Sequence, residues 1–137
     1  MVILSKKEIN EICKKYDLKF SNERNGSTTY YLFIRSLLFS PNGWSRLFPE
    51  GYYNCFCRFR RIKDQKYTLI EQSTGPTIDL SAPDYYIFYR DNVIKSANNK
   101  EFNDWIRKTV YKVRVTIPKK VKERKLKQKL KRIKEDF

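Results

Sequence analysis

The chain has 137 residues, with 30 Lys and Arg against 15 Asp and Glu, a formal net charge of +15, and no histidine. That length suits a single domain that folds without staples, and a hydrophobic content of 40% with 15% aromatics supplies a core, which excludes global disorder. The missing histidine removes the usual general base near neutral pH, along with Ser–His and Cys–His nucleophile pairs and zinc sites that use imidazole.

The first element is a helix over 6–16. Ser5-Lys6-Lys7-Glu8 forms a capping box, and Leu4 and Ile9 take the two staple positions beside it. Ile9, Ile12, Cys13 and Tyr16 share one helical face, so Cys13 reads as a small core residue. SNERNGST (21–28) is a loop, and 29–39, apolar on both faces through Ile34, is a central or covered strand. Turns follow at Ser40–Gly43 and Pro49–Gly51, with Trp44, Leu47 and Phe48 between them as plugs for the core edge.

YYNCFCRFRRI (52–62) is the next strand. It returns through a turn at 63–66 into an antiparallel YTLIEQ strand at 67–72. Alternation puts Tyr53, Cys55, Cys57 and Phe59 on one face, and Tyr52, Asn54, Phe56, Arg58 and Arg60 on the other. Residues 77–80 form a short edge piece, and DYYIFYR (84–90) is an aromatic strand that Asp91-Asn92 turns into VIK (93–95). Asn98 caps a helix over 99–110, with Glu101 at the third position and Phe102, Trp105, Ile106, Thr109 and Val110 on its buried stripe. Val113, Val115 and Ile117 then alternate with polar residues. This favours a last strand over 111–117, against a helix continued to about 113, and Pro118 stops either. The fold class is therefore α+β: an antiparallel sheet of about four to six strands flanked by two helices, with residues 1–117 as the globular domain and 118–137 as a basic helical tail.

Residues 119–136 hold ten Lys or Arg and three acids, so the tail carries +7 of the +15. Leu126, Leu130, Ile133 and Phe137 recur there at heptad spacing, a narrow stripe suited to docking or a short coiled coil. Excess charge of this kind attracts polyanions. Nucleic acid or a nucleoprotein is the expected partner, with an acidic protein surface as the competitor. RNA is favoured slightly over DNA because of the aromatic content. Candidate phosphate contacts are Arg58, Arg60 and Arg61 together with Lys119, Lys120, Lys122, Arg124, Lys125, Lys127, Lys129, Lys131 and Arg132. Tyr52 and Phe56 are placed either to stack bases or to lie under a helix.

Three cysteines, an odd number with no disulfide-framework spacing and no leader segment, point to reduced thiols in a cytoplasm-like compartment. No run approaches the ~18 apolar residues that mark a membrane span. Cys55 and Cys57 are separated by one residue, and with Cys13 they supply at most three soft ligands. Neither Gly-rich phosphate motif occurs, so neither metal nor cofactor is expected. Pro49-Glu50 followed by Asp64-Gln65-Lys66 resembles the PD-(D/E)xK nuclease signature, with Glu where that family has Asp and with its carboxylate–lysine pair in a hairpin turn. Glu71, Asp79 and Asp84 are a second possible cluster for a hard cation. The leading expectation is a non-enzymatic nucleic-acid binder. The alternatives are a small inhibitor or adaptor that docks on a nucleic-acid enzyme or ribonucleoprotein, whose A/T-rich coding composition suits a phage, and a metal-dependent nuclease.

Overall fold

The computed structural model describes residues 2–21, 29–39, 52–62, 66–82, 84–90 and 92–136. Residues 22–28 of the expected 21–28 loop, the turns and plug within 40–51 (Trp44, Leu47 and Phe48 included) and residues 63–65 of the expected 63–66 turn lie outside the described residues, whereas Ser21 ends a strand and Lys66 begins one.

The fold is α+β, as its patterning predicts. Strand β1 (Ile3–Ser5) leads into helix α1 (Lys6–Tyr16), which begins on the expected capping box: the Ser5 hydroxyl accepts from the Glu8 N–H, and the Glu8 carboxylate accepts from the Ser5 N–H. Leu4 and Ile9, at the two staple positions, are both buried. The helix ends at Asp17 in the left-handed region (φ 51°), and strand β2 (Lys19–Ser21) follows. Strands β3 (Thr29–Arg35), β4 (Tyr53–Ile62) and β5 (Lys66–Ser73) form the antiparallel centre, in the order β1-β5-β4-β3-β2. Helix α1 therefore joins the two outermost strands of the sheet. At ~1.5 Å per residue its 11 residues reach about 16 Å, close to the ~19 Å that four strand spacings require. The three-residue strands β1 and β2 carry too few residues to show a period, which is why the sequence gives no sign of either.

The segment after β5 departs from expectation. Strand β6 (Pro76–Ile78) pairs with β7 (Ile87–Tyr89) as a separate two-stranded sheet, whereas β8 (Val93–Ile94) pairs with the far end of β5. The aromatic stretch 84–90 and VIK (93–95) are thus not the two arms of one hairpin. Each finds its hydrogen-bonding partner elsewhere, and the regular part of DYYIFYR shrinks to three residues.

The larger correction concerns 111–117. Helix α2 (Asn99–Tyr111) is capped by the Asn98 side chain, which accepts from the Glu101 N–H at 2.9 Å. Its chain then passes through a π-helical turn (Lys112–Thr116) directly into helix α3 (Ile117–Glu135), with no strand between. The alternation of Val113, Val115 and Ile117 is incidental. The row that matters is Phe102, Ile106, Val110, Val113, Ile117 and Val121, which is buried throughout. Over that length an unbroken α-helix drifts, and would swing Ile117 and Val121 roughly 60–100° away from Phe102. A π turn is wider, fewer degrees per residue, and takes most of that drift back. Its signature bond runs from the Ile117 N–H to the Lys112 carbonyl. Pro118 consequently falls just after the π turn, where the hydrogen-bonding pattern is already shifted, and does not end the helix. The helix is continuous across 117 and 118, and packing into the core continues to Val121.

The core lies between the sheet and these helices. Phe59 meets Phe102 edge-on at 5.5 Å, and Phe56 meets Trp105 at 5.4 Å. Residues 56 and 59 of an unbroken strand would point to opposite faces. They share one here because Cys57 faces Leu32 and Cys55 faces Phe33, which leaves Phe56 as an extra residue in β4. Two sets of polar contacts pin the edges. The Asn99 amide accepts from the Ile3 N–H (3.1 Å) and donates to the Ile3 carbonyl (3.0 Å), covering the outer side of β1 as a further strand would. The buried Gln72 carbonyl accepts from both the N–H (2.7 Å) and hydroxyl (2.9 Å) of Ser96, fixing the approach to α2. Arg114, from the π turn, donates to the carbonyls of Tyr16 and Asp17 (2.9 Å to the latter) and so caps the C-terminus of α1, a favourable place for a cation.

Candidate nucleic-acid interface

Beyond Val121 every residue of α3 through Asp136 is exposed. Lys, Arg, Leu, Gln and Glu are all good helix formers, so this half stays helical without burial. Its cations are Lys122, Arg124, Lys125, Lys127, Lys129, Lys131, Arg132 and Lys134, with Lys119 and Lys120 exposed one turn earlier. Among the described residues, the one ion pair on α3 is Lys131 with Glu135 at 4.0 Å. Two contacts brace the segment against the body. The Tyr85 hydroxyl donates to the Gln128 amide oxygen at 3.2 Å, and the Lys125 ammonium lies 5.8 Å from the Tyr85 ring centre. The result is a basic rod, roughly 20 Å long past Val121 at ~1.5 Å per residue, fixed at its root.

The sheet half of the expected surface is weaker. Of the two alternatives for Phe56, its ring takes the second: it is fully buried under α2 and offers no face to a base. The bulge in β4 puts it there, which alternation alone does not reveal. Arg58 forms an ion pair with Glu71, its cross-strand neighbour, so its charge is already balanced. Arg60 is exposed, and Tyr52 is 37% exposed. The side chain of Arg61 lies outside the described residues. Because Phe59 faces α2, its neighbours Arg58 and Arg60 point to the opposite side of the sheet. The structure therefore separates Arg58 and Arg60 from α3 and does not gather them into one patch with it.

The residues of the catalytic alternatives are described only in part. Glu50 and Asp64 lie outside the described residues, as does the side chain of Lys66. Glu71 is engaged by Arg58. Asp79 accepts from the hydroxyl (2.6 Å) and N–H (2.9 Å) of Ser81, bonds that hold its carboxyl below the usual range, and Asp84 is exposed. Among the described residues, no three Cys, Asp or Glu side chains come together as a metal-binding group. The cysteines are free thiols, and burial pushes their pKa values up: Cys13 to about 12, Cys55 to about 11, and the fully buried Cys57 well above its ordinary value. Neutral thiols are poor nucleophiles and poor metal ligands. Among the described residues, no helix is long and apolar enough to cross a membrane. Comparison of the chain with protein-family models, with curated proteins and with solved structures gives no match.

Proposed function

We propose that the protein binds nucleic acid without transforming it, holding the phosphate backbone with the exposed cations of α3 inside a reducing, cytoplasm-like compartment. One observation carries this reading: ten Lys and Arg lie between Lys119 and Lys134 on a helix whose outer half is wholly exposed and, among the described residues, makes one ion pair. Unpaired cations on a rigid rod lose little conformational freedom when they meet a row of phosphates, and each contact releases a condensed counterion. Backbone contacts position a ligand but do not read its bases, so sequence preference is low. The expected lean towards RNA rested on aromatic side chains available for stacking. With Phe56 buried, that support is reduced.

The test is fluorescence anisotropy with duplex DNA, duplex RNA and single strands across a salt series. If half of the ten cations make contacts, log affinity falls against log salt with a slope of about −4 to −5. Replacing Lys120, Arg124, Lys127 and Lys131 by Gln shallows that slope by roughly 3–4 units on duplex DNA. Arg58→Gln changes it far less, because Glu71 already occupies that guanidinium. Absence of binding at about 50 mM salt, or a slope indifferent to the four substitutions, rejects the reading.

A further inference from the structure

The long helix carries two apolar rows, and among the described residues only one has a partner. The inner row ends at Val121. Where it would continue, α3 presents Arg124, Gln128 and Glu135. A new row begins instead at Leu126, Leu130 and Ile133, with spacings of four and three residues. At 100° per residue it lies roughly half a turn from Ile117 and Val121, on the side turned away from the sheet. These three side chains are 57%, 50% and 45% exposed. Single exposed leucines are ordinary, but a solvated charged helix has no use for three large aliphatics at the spacing of a coiled-coil seam.

The flanks of the seam say what fits it. Lys122 and Lys129 border one side, Lys127 and Lys134 the other. A second copy of this chain would set lysine against lysine in either orientation, on top of +15 against +15. A nucleic acid would leave the aliphatics against phosphate. A membrane surface calls for a broader apolar face than a row this narrow. A helix with leucines or isoleucines facing the seam and glutamates beside them satisfies both features at once.

We propose that the outer face of α3 seats an acidic amphipathic helix of a partner protein, with Leu126, Leu130 and Ile133 as the apolar seam and Lys122, Lys127, Lys129 and Lys134 as its charged borders. The border lysines are shared with the proposed phosphate contacts, whereas Leu126, Leu130 and Ile133 carry no charge, so the two bindings are separated by substituting the aliphatic seam. This inference goes beyond the nucleic-acid reading and does not depend on it.

The probe is a synthetic helical peptide with Leu at both seam positions of each heptad and Glu on both borders. Its controls are the same peptide with Gln in place of Leu, and one with Lys borders. Titration calorimetry on the full chain is expected to show one-to-one binding of the first peptide alone. The triple variant Leu126→Gln, Leu130→Gln, Ile133→Gln keeps every charge, and is expected to weaken that binding at least tenfold while leaving nucleic-acid binding unchanged. The variant Lys127→Glu, Lys129→Glu, Lys134→Glu is expected to exchange the acidic peptide for the lysine-bordered one. Equal binding of the glutamine control, or of the triple variant, overturns the proposal by reducing it to charge alone. So does a dimer in sedimentation that the triple variant abolishes, or a loss of binding confined to nucleic acid or to phosphatidylserine vesicles.

Discussion

The two halves of the C-terminal helix are built from one continuous backbone and behave as different materials. From Phe102 to Val121 the apolar row is buried against the sheet, its aromatic rings 5–6 Å from Phe56 and Phe59. From Lys122 onward the same helical period carries lysine, arginine and three outward aliphatics that no described residue buries. The first half is held by burial, the second by intrinsic propensity and by its root in the first. Helicity alone therefore says little about role. What distinguishes the halves is which side of the helix the apolar residues occupy.

Substitutions sharpen that contrast. Phe102→Ala removes a fully buried ring and is expected to cost about 3–5 kcal/mol in urea unfolding, whereas Leu126→Ala should stay within about 0.5 kcal/mol. Similar costs at the two positions would mean that the outer half is packed after all. Arg114→Ala leaves two carbonyls at the end of α1 without their charged donor, an expected loss of about 1–3 kcal/mol that Arg114→Lys recovers only in part, measured by thermal melting.

The thiols supply a pH test confined to the packed body. Their folded pKa values are raised, so the unfolded chain loses these protons first, starting near the ordinary value of 9.0. Stability from this source is complete below pH 9 and declines as pH climbs towards the folded values near 11 and 12. Cys55→Ala should flatten that decline. At pH 8 the native Cys55 thiolate fraction is roughly a hundredfold below that of an ordinary thiol, and alkylation should slow in proportion. The smallest effect belongs to the outer half: Glu135→Gln breaks the exposed pair with Lys131 and should change stability by less than about 0.5 kcal/mol.

The parts legible in the sequence were those with local signatures. The Ser5–Glu8 box and the Asn98 cap mark helix starts because capping is decided within four residues. The β4–β5 hairpin shows because both arms are long enough to carry a period. What remained hidden depends on distant partners. The Phe56 bulge exists only relative to β3, and the separation of β7 from β8 depends on β5 and β6 being nearer at hand. Residues 111–117 misled because three branched residues at alternate positions imitate a strand, while the helical row from Phe102 to Val121 becomes visible only once the π turn has corrected its drift. At the candidate site the same division holds. The cations of the tail could be counted in the sequence, but the side to which Leu126, Leu130 and Ile133 turn is fixed by where the inner row stops.

The strap formed by β1, α1 and β2 has a consequence for how the chain assembles. Ile3 pairs with Thr68, 65 positions later, and Lys19 pairs with Phe33 on the opposite margin of the sheet. The berth of β1 lies on β5, whereas that of β2 lies on β3 alone. Closing the β1–β5 pair spans a far longer stretch of chain than closing the β2–β3 pair, so the two ends of the strap carry very different loop-closure costs.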